Sequence, residues 1–245
     1  MKVEYINHSL TDHDVANIAR QSFLKLADDY TEAQNHSLIK YLARGVQSAD
    51  WENKMIEMAN TTDLTKIRQM AVELRSIPEH WVPFGHPTIT LRMQAPVPIR
   101  TQCYKHKIGF VESEESRRYV KTTPEIYIPE SFRMAAADVK QGSAGVHPNN
   151  DDIMEAYKVL TAGTVVLYNR LIADGVCPEQ ARFMLPQGTE INWVWTGSLY
   201  AFAKAYVARS GDHAQKEVRD LFKMVGDVIE PLYPVSWPAL TRGGY

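Results

Sequence analysis

The sequence predicts an α+β fold: a central, mostly antiparallel sheet flanked by helices, with long helices in the C-terminal half. Apolar residues recur at helical spacing over most of the chain. Two segments, residues 88–93 and 191–195, instead have the alternation or composition of strands. A chain of 245 residues, 44% of them hydrophobic, can bury one sizeable core. We therefore expect a single domain spanning residues 1–245.

The N-terminal third predicts one strand followed by helices. Residues 3–6 suit a short strand, and Thr11 or Asp12 suits the N-cap of the next helix. The apolar positions of that helix, at helical spacing, are Val15, Ile18, Ala19, Phe23 and Leu26. Residues 31–77 are polar and helix-prone, which predicts two or three further helices.

Prolines divide the middle of the chain. They end the strand at residues 88–93, and residues 98–102 predict a short helix because proline is accepted in a first turn. Residues 125–128 have the composition of a strand. The segment 134–150 is the most loop-like, because it contains two glycines and Pro148.

The C-terminal half is strongly helical in pattern. Helices are predicted at residues 151–175, 178–184, 198–209 and 213–229, with the strand 191–195 between the second and the third. Trp193 and Trp195, within that strand, are predicted to be core residues rather than ligand-stacking groups.

Composition limits the class of protein. A net charge of -2 argues against a general nucleic-acid binder. Cys103 and Cys177 are the only cysteines and lack metal or disulfide-framework spacing, which indicates reduced thiols in a cytoplasmic protein. We expect no bound metal, since His80 and His86 lack partners at a ligand spacing. No apolar run approaches the roughly 20 residues that span a bilayer, so we expect no membrane partner.

The most informative stretch is residues 102–119, QCYKHKIGFVESEESRRY. Lys105 and Lys107 flank His106, and Arg117 and Arg118 follow. Cations grouped in this way suit a phosphate, with lysine as a compact charge and arginine as a planar fork. They also suit a solvated surface. The residues by themselves leave open an anion-binding enzyme, a phosphate- or nucleic-acid-binding module, and a structural protein with a surface charge cluster.

The stretch resembles the signature of the flavin-dependent thymidylate synthases. That signature is a basic-His-basic triplet, seven or eight residues, then a serine followed shortly by arginine. Here the triplet is followed by eight residues, by Ser116 and then by Arg118 and Tyr119, with Glu114 before the serine. The lysine triplet, with its Gly-Phe and Arg-Arg-Tyr, resembles one branch of the family.

Further segments resemble the family in the right order along the chain. They are residues 18–23 (IARQSF), 82–86 (VPFGH), 175–186 (GVCPEQARFMLP), 195–199 (WTGSL) and 209–215 (RSGDHAQ). Two features depart from the pattern. Residues at about 47–79 look like an inserted helical region, and Ser113 stands where many members carry asparagine.

The resemblance implies a homotetramer whose active sites are shared between subunits around FAD. Such an enzyme converts dUMP to dTMP, with methylenetetrahydrofolate as the carbon donor and NADPH as the reductant of FAD. It needs no catalytic cysteine. A flavin- and folate-dependent pyrimidine deoxynucleotide hydroxymethylase, in which water intercepts the carbon intermediate, is the alternative within the same chemistry.

The resemblance also implies roles for individual residues. The FAD contacts are Lys105, His106, Lys107, Glu114, Ser198, Lys204 and His213. The dUMP contacts are Gln102, Glu115, Ser116, Arg117, Arg118, Arg182 and Arg209. The residues at the catalytic centre are Arg182, Ser116 and His86. Arg182 would stabilise negative charge on the polarised uracil ring. Ser116 is expected to bind the substrate rather than attack it, because no general base is evident beside it.

Overall fold

The computed structural model describes residues 1–45, 49–76, 80–137 and 142–243. Its centre is a four-stranded sheet in which every neighbouring pair is antiparallel, in the order β1-β2-β6-β3. The strands are β1 (Lys2–His8), β2 (Thr88–Pro96), β3 (Phe110–Glu114) and β6 (Glu190–Ser198). A separate hairpin consists of β4 (Arg133–Ala135) and β5 (Ser143–Val146). The predicted α+β class and antiparallel sheet are confirmed.

Helices flank the sheet, and the longest lies in the C-terminal half. In chain order they are α1 (Asp12–Arg20), α2 (Glu32–Ala43), α3 (Ala49–Ala59), α4 (Leu64–Ser76), α5 (Val82–Gly85), α6 (Val97–Cys103), α7 (Asn150–Ala173), α8 (Pro178–Ala181), α9 (Leu199–Ser210), α10 (Lys216–Ile229) and α11 (Ser236–Arg242). Among the described residues, no helix is long and apolar enough to cross a membrane.

The main core lies between one face of the sheet and helices α9 and α10. Alternate residues of a strand point to one face, so Trp193 and Trp195 of β6 share the buried face, as predicted. The Trp195 ring contacts Phe202 of α9 and Phe222 of α10, with ring centroids 5.2 and 6.2 Å apart. Burying a side chain of this size stabilises the fold by about 1.5–3 kcal/mol. The core therefore fixes α9 and α10 on the sheet, and these two helices carry much of the candidate site.

Helices α2, α3 and α4 occupy the region predicted to contain two or three helices. Lys54 of α3 forms an ion pair with Glu73 of α4, at 2.7 Å between Nζ and Oε2. Residues 46–48 and 77–79 lie outside the described residues, and with them both edges of the region predicted as an insertion. Its identity as an insertion stays a prediction.

The end of α1 differs from the prediction. Thr11 is the N-cap, as expected, but the helix ends at Arg20 rather than continuing to Leu26. The chain then enters a 3-10 turn, and Leu24 takes a left-handed conformation with φ 55°. Phe23 and Leu26 are consequently 76% and 57% exposed instead of packing on the apolar face of α1.

Three further predictions were wrong in part. Residues 125–128 form a single bridge, from Ile126 to Thr189, because Pro124 and Pro129 on either side cannot donate to a sheet. The segment predicted as a loop at 134–150 contains the β4–β5 pairing. The helix predicted from His213 begins at Lys216, since the preceding residues form a turn.

Candidate active site

The basic triplet lies in the turn between α6 and β3. Backbone N–H groups of Lys105 and His106 donate to carbonyls at the end of α6, which fixes the turn against that helix. Lys105 and Lys107 are exposed, whereas His106 is half-buried. Lys107 pairs with Glu112, at 2.5 Å between Nζ and Oε1. Within the described ranges Lys105 forms no ion pair, so its charge faces solvent and is available to an anion.

The same turn packs against the N-terminus of α9 and forms a hydrogen bond with it. Gly109 has φ +79°, a conformation that favours glycine, and a Cβ there would lie 2.9 Å from the Cβ of Ala201. Its carbonyl accepts a hydrogen bond from the Ser198 N–H at 3.1 Å. Ser198 caps α9, because its Oγ accepts from the Ala201 N–H at 3.1 Å. The positive end of the α9 dipole therefore lies beside Gly109, two residues after the triplet, where it suits an anionic group.

A side-chain hydrogen bond joins the triplet to the C-terminal end of α9. Arg209 donates from Nε to Nε2 of His106 at 3.0 Å. Burial, followed by the charge of Arg209, lowers the pKa of His106. A neutral ring that accepts at Nε2 carries its proton on Nδ1. His106 and Arg209, predicted to contact FAD and dUMP respectively, are thus direct neighbours.

A cleft of about 910 Å³ lies at the junction of α6, α9 and α10. Three predicted site residues line it: Gln102, Arg209 and His213. Other charged residues on its wall are Arg133, Asp212, Lys216 and Arg219. Cations outnumber carboxylates there, so the cleft suits an anionic ligand.

A chain of hydrogen bonds runs along one wall of this cleft. Gln102 donates from Nε2 to Oε1 of Gln215 at 2.7 Å, and Gln215 donates from Nε2 to Oε2 of Glu217 at 2.9 Å. Arg133 of β4 grips both oxygens of Glu217, at 2.8 and 3.0 Å. Burial raises the pKa of Glu217, but the bonds from Arg133 and Gln215 outweigh it and lower the pKa to about 2. Glu217 is therefore ionised at neutral pH.

A second group of predicted residues surrounds Glu179 of α8. Arg118 donates from Nε to Glu179 Oε1 at 2.7 Å, and its Nη2 lies 2.5 Å from the same oxygen. Arg182 donates from Nε to the backbone carbonyl of Glu179 at 3.3 Å. Ser116 begins the turn that carries Arg118, and its Oγ accepts from the Arg118 N–H at 3.4 Å. None of these four residues lines the 910 Å³ cleft.

Glu115 and Arg117 lie elsewhere. They line a smaller cavity of about 290 Å³, together with Asn192 and other polar residues of the sheet. Arg117 is buried and donates from Nη1 to the Thr122 carbonyl at 2.6 Å, while Glu115 accepts from Asn192 Nδ2 at 2.9 Å. These contacts give both side chains a structural task.

The remaining predicted residues are scattered. Glu114 pairs with Arg100, at 3.1 Å between Oε2 and Nε. Lys204 is exposed on α9 and lies over the Tyr200 ring at 5.8 Å. His86 is exposed, just after α5 and before β2. One protomer therefore brings together only part of the predicted set.

The buried cysteine, Cys103, is not placed to act as a nucleophile. Cys103 is fully buried at the end of α6, and burial raises the pKa of its thiol to about 12. A thiol that keeps its proton is a poor nucleophile. Cys177 is exposed and precedes α8. In the described part of the chain, no group of three or more His, Cys, Asp or Glu residues is arranged to hold a metal ion.

Four residues that line the cleft, Arg133, Gln215, Lys216 and Arg219, were not predicted from the sequence, and neither was Glu217, which bonds two of them. Gln215 ends the segment 209–215, so its position beside the predicted His213 was a usable signal. No sequence signal pointed to Arg133, because a single arginine next to a loop-like segment has no distinguishing pattern.

The family is decided by a match over most of the chain. The family model described as thymidylate synthase complementing protein matches residues 4–235. The chain belongs to this family. Curated relatives of this chain are described as flavin-dependent thymidylate synthases. One, from Thermosipho africanus, is 25% identical over 168 residues, which is 68% of this chain and 73% of the relative. Another, from Thermus thermophilus, is 28% identical over 160 residues, covering 65% and 58% of the two chains.

The fold of this chain is similar to that of a solved structure. That structure is the UMP/dUMP methylase PolB from Streptomyces cacaoi, bound with 5-Br dUMP. The TM-score is 0.74 at 21% sequence identity, with 99% of this chain and 95% of the other covered. At that identity the likeness extends to the fold alone.

Proposed function

We propose that this protein is a flavin-dependent thymidylate synthase that converts dUMP to dTMP. Methylenetetrahydrofolate would supply the carbon, and NADPH would reduce the bound FAD. Family membership and the names of the relatives support this activity. The observation that carries it is the hydrogen bond from Arg209 to His106, which joins the basic triplet to the cationic cleft. A flavin and a nucleotide bound at these two places would be neighbours.

The residues around the triplet fit a group that carries phosphates. Lys105 supplies positive charge, Lys107 supplies a charge that it shares with Glu112, and the N-terminus of α9 with its cap Ser198 supplies partial positive charge. His213 lies at the rim of the adjacent cleft. When bound, the flavin supplies hydride to the pyrimidine and takes it from NADPH. We assign to the triplet and Ser198 the task of holding the FAD.

The arginines are assigned to dUMP. Arg209 and Gln102 offer donors within the cleft, and Arg118 offers the guanidinium donors that its pair with Glu179 does not use. Arg182 would donate to the uracil ring and stabilise negative charge as the ring is polarised. Ser116 would donate to the nucleotide, since its Oγ–H donates to no histidine or carboxylate within the described residues. His86 is assigned to the flavin–folate side, on the resemblance alone.

We further propose that the active sites are shared between subunits of a homotetramer. Arg118 and Arg182 form one group around Glu179 and the residues of the cleft form another, and in an assembly the first group of one chain would complete the cleft of another. Helix α7 also offers an unpartnered apolar surface. Its 24 residues bury only Thr161 and Tyr168, while Leu160 and Val166 are 69% and 67% exposed.

The function is tested on the purified protein of 245 residues. We expect an oxidised-flavin absorbance spectrum, with FAD added where it is lost during purification. Tritium release from dUMP labelled at C5 should then require methylenetetrahydrofolate and NADPH. Product mass separates a methyl from a hydroxymethyl group, and UMP serves as the comparison substrate because the structural neighbour is a UMP/dUMP methylase.

Two results would contradict the proposal. A protein that stays colourless after FAD addition favours the phosphate- or nucleic-acid-binding module. A product heavier by a hydroxymethyl group makes the enzyme a hydroxymethylase.

A further inference from the structure

The side-chain amides on the wall of the cleft have only one consistent orientation. Glu217 is ionised and gripped by Arg133, so both of its oxygens can only accept hydrogen bonds. Gln215 must therefore turn its NH2 group towards Glu217, which leaves its carbonyl oxygen, Oε1, for Gln102. Gln102 must in turn donate from Nε2 to that oxygen. The acceptor-only carboxylate of Glu217 therefore determines which end of each amide is the oxygen and which is the nitrogen.

The hydrogen-bonded chain from Glu217 through Gln215 to Gln102, called the relay below, ends at a residue assigned to the substrate. Gln102 lines the cleft, and its amide keeps one N–H and its Oε1, to which no other hydrogen bond runs within the described residues. With Nε2 tied to Gln215, the amide plane cannot flip without losing a hydrogen bond. Its free donor and acceptor thus keep fixed positions before a ligand arrives. Holding a contact in place lowers the ordering cost of binding.

We propose that Glu217 is a positioning residue for the nucleotide: acting through Gln215, it fixes the amide of Gln102 in the orientation that binds dUMP. The inference rests on the proposed function, because it takes dUMP as the ligand of the cleft. It adds two residues, Gln215 and Glu217, that do not themselves touch the ligand in this scheme.

The test compares two breaks in the relay. Glu217→Gln removes the charge that orders the amides, and Gln215→Leu cuts the relay while leaving the Glu217–Arg133 pair intact. We expect each to raise the KM for dUMP about fivefold to tenfold, the loss of roughly one hydrogen bond, with kcat changed less than twofold. Reduction of FAD by NADPH without dUMP should keep its wild-type rate. Asp227→Asn, which removes an exposed carboxylate from the same helix, is the matched control.

A double variant separates positioning from general damage. If Glu217 acts through Gln102, then Glu217→Gln adds nothing to the KM of Gln102→Ala. If Glu217 merely anchors the β4–β5 hairpin through Arg133, then Gln215→Leu leaves the KM unchanged and Arg133→Leu reproduces Glu217→Gln. That pattern would overturn the proposal.

Equilibrium binding of labelled dUMP distinguishes this proposal from the function on which it rests. Wild-type protein that binds and methylates dUMP, with relay variants that bind it equally well, overturns the relay alone. Wild-type protein that binds dUMP without methylating it refutes the synthase activity, and weaker binding by the variants then still supports the relay. Wild-type protein that does not bind dUMP overturns both.

Discussion

Arg209 is the residue on which the two halves of the candidate site meet. Its Nε is committed to His106, so its remaining guanidinium donors are the ones that can reach a ligand in the cleft. The hydrogen bond requires an unprotonated Nε2, and burial together with the charge of Arg209 keeps the pKa of His106 low. A change at His106 is therefore expected to disturb both the flavin and the nucleotide.

The first prediction concerns the triplet. Lys105→Ala should lower FAD affinity about tenfold to a hundredfold, as the loss of a charged phosphate contact commonly does. His106→Ala should lower it about fivefold to tenfold, the loss of one neutral hydrogen bond, because the ring accepts at an unprotonated Nε2. His106→Ala should also raise the KM for dUMP, because Arg209 loses its partner. Flavin content after gel filtration and dUMP kinetics measure the two effects. Lys223→Ala, an exposed lysine of α10 paired with Asp227, is the control. Wild-type flavin retention in both triplet variants would refute the role.

The second prediction concerns Arg182. Arg182→Ala should keep FAD and the oligomer and still accept electrons from NADPH, because that half-reaction needs no polarisation of the uracil ring. Turnover of dUMP should fall at least a hundredfold, the range seen when a donor to developing charge is removed. Arg182→Lys should recover little, since a point charge cannot replace a planar pair of donors. Separate assays of the two half-reactions decide it: near wild-type methylation by Arg182→Ala would exclude this assignment.

The sequence predicted three residues of the cleft but not the cationic residues that line the rest of it. Gln102, Arg209 and His213 were taken from separate segments, and the fold brings them to one cleft. Arg133 could not be predicted, because it reaches the cleft only through its pairing with Glu217, 84 residues away along the chain. Contacts of that separation depend on tertiary packing, which a single sequence does not display.

Among the helices and strands, those with a clear apolar periodicity, such as α7 and β2, lie where the sequence predicts them. Segments without such a periodicity were predicted less well. Strand β3 escaped prediction because two of its five residues are glutamates, Glu112 and Glu114, which read as surface charge. Both find cations, Lys107 and Arg100, that neutralise them at the edge of the sheet. The apolar spacing that extended α1 to Leu26 was misleading, because it continued past the end of the helix into an exposed turn.

The third prediction concerns the turn that carries the triplet. Gly109→Ala should destabilise the protein by about 1–3 kcal/mol, because φ +79° is strained for alanine and the new Cβ would crowd Ala201. It should also lower FAD content by displacing the triplet. Gly145→Ala is the matched control, since a Cβ there meets nothing within 4 Å and no positive φ is involved. Urea unfolding and flavin absorbance measure the two effects; equal stability of both variants would contradict the argument.

The molecule as a whole exposes an apolar surface on helix α7. Core packing covers one face of the sheet, while α7 leaves four large apolar residues exposed, Val159, Leu160, Val166 and Leu167. Scattered exposed apolar residues are ordinary, but a contiguous apolar helix face marks an interface. This surface and the divided site both favour assembly with further copies of the chain.

The fourth prediction tests that assembly. Leu160→Lys places a charge on the apolar face of α7 and should shift the protein to smaller species, with loss of activity in proportion. Glu155→Gln makes the same change in net charge at an exposed position of the same helix and should leave the mass unchanged. Light scattering after gel filtration reports the mass. A Leu160→Lys protein of wild-type mass would remove α7 from the interface.

The separation of the Arg118–Arg182 group from the cleft has a genetic consequence. Arg209→Ala and Arg182→Ala damage different halves of a site, and each homogeneous protein should be inactive. When the two chains are co-expressed, a mixed assembly can pair the intact cleft of one with the intact Arg182 of the other. About a quarter of the sites would then be whole if subunits mix at random. Two inactive alleles should therefore complement each other, and a thymidine-requiring host carrying both should grow where neither alone supports growth.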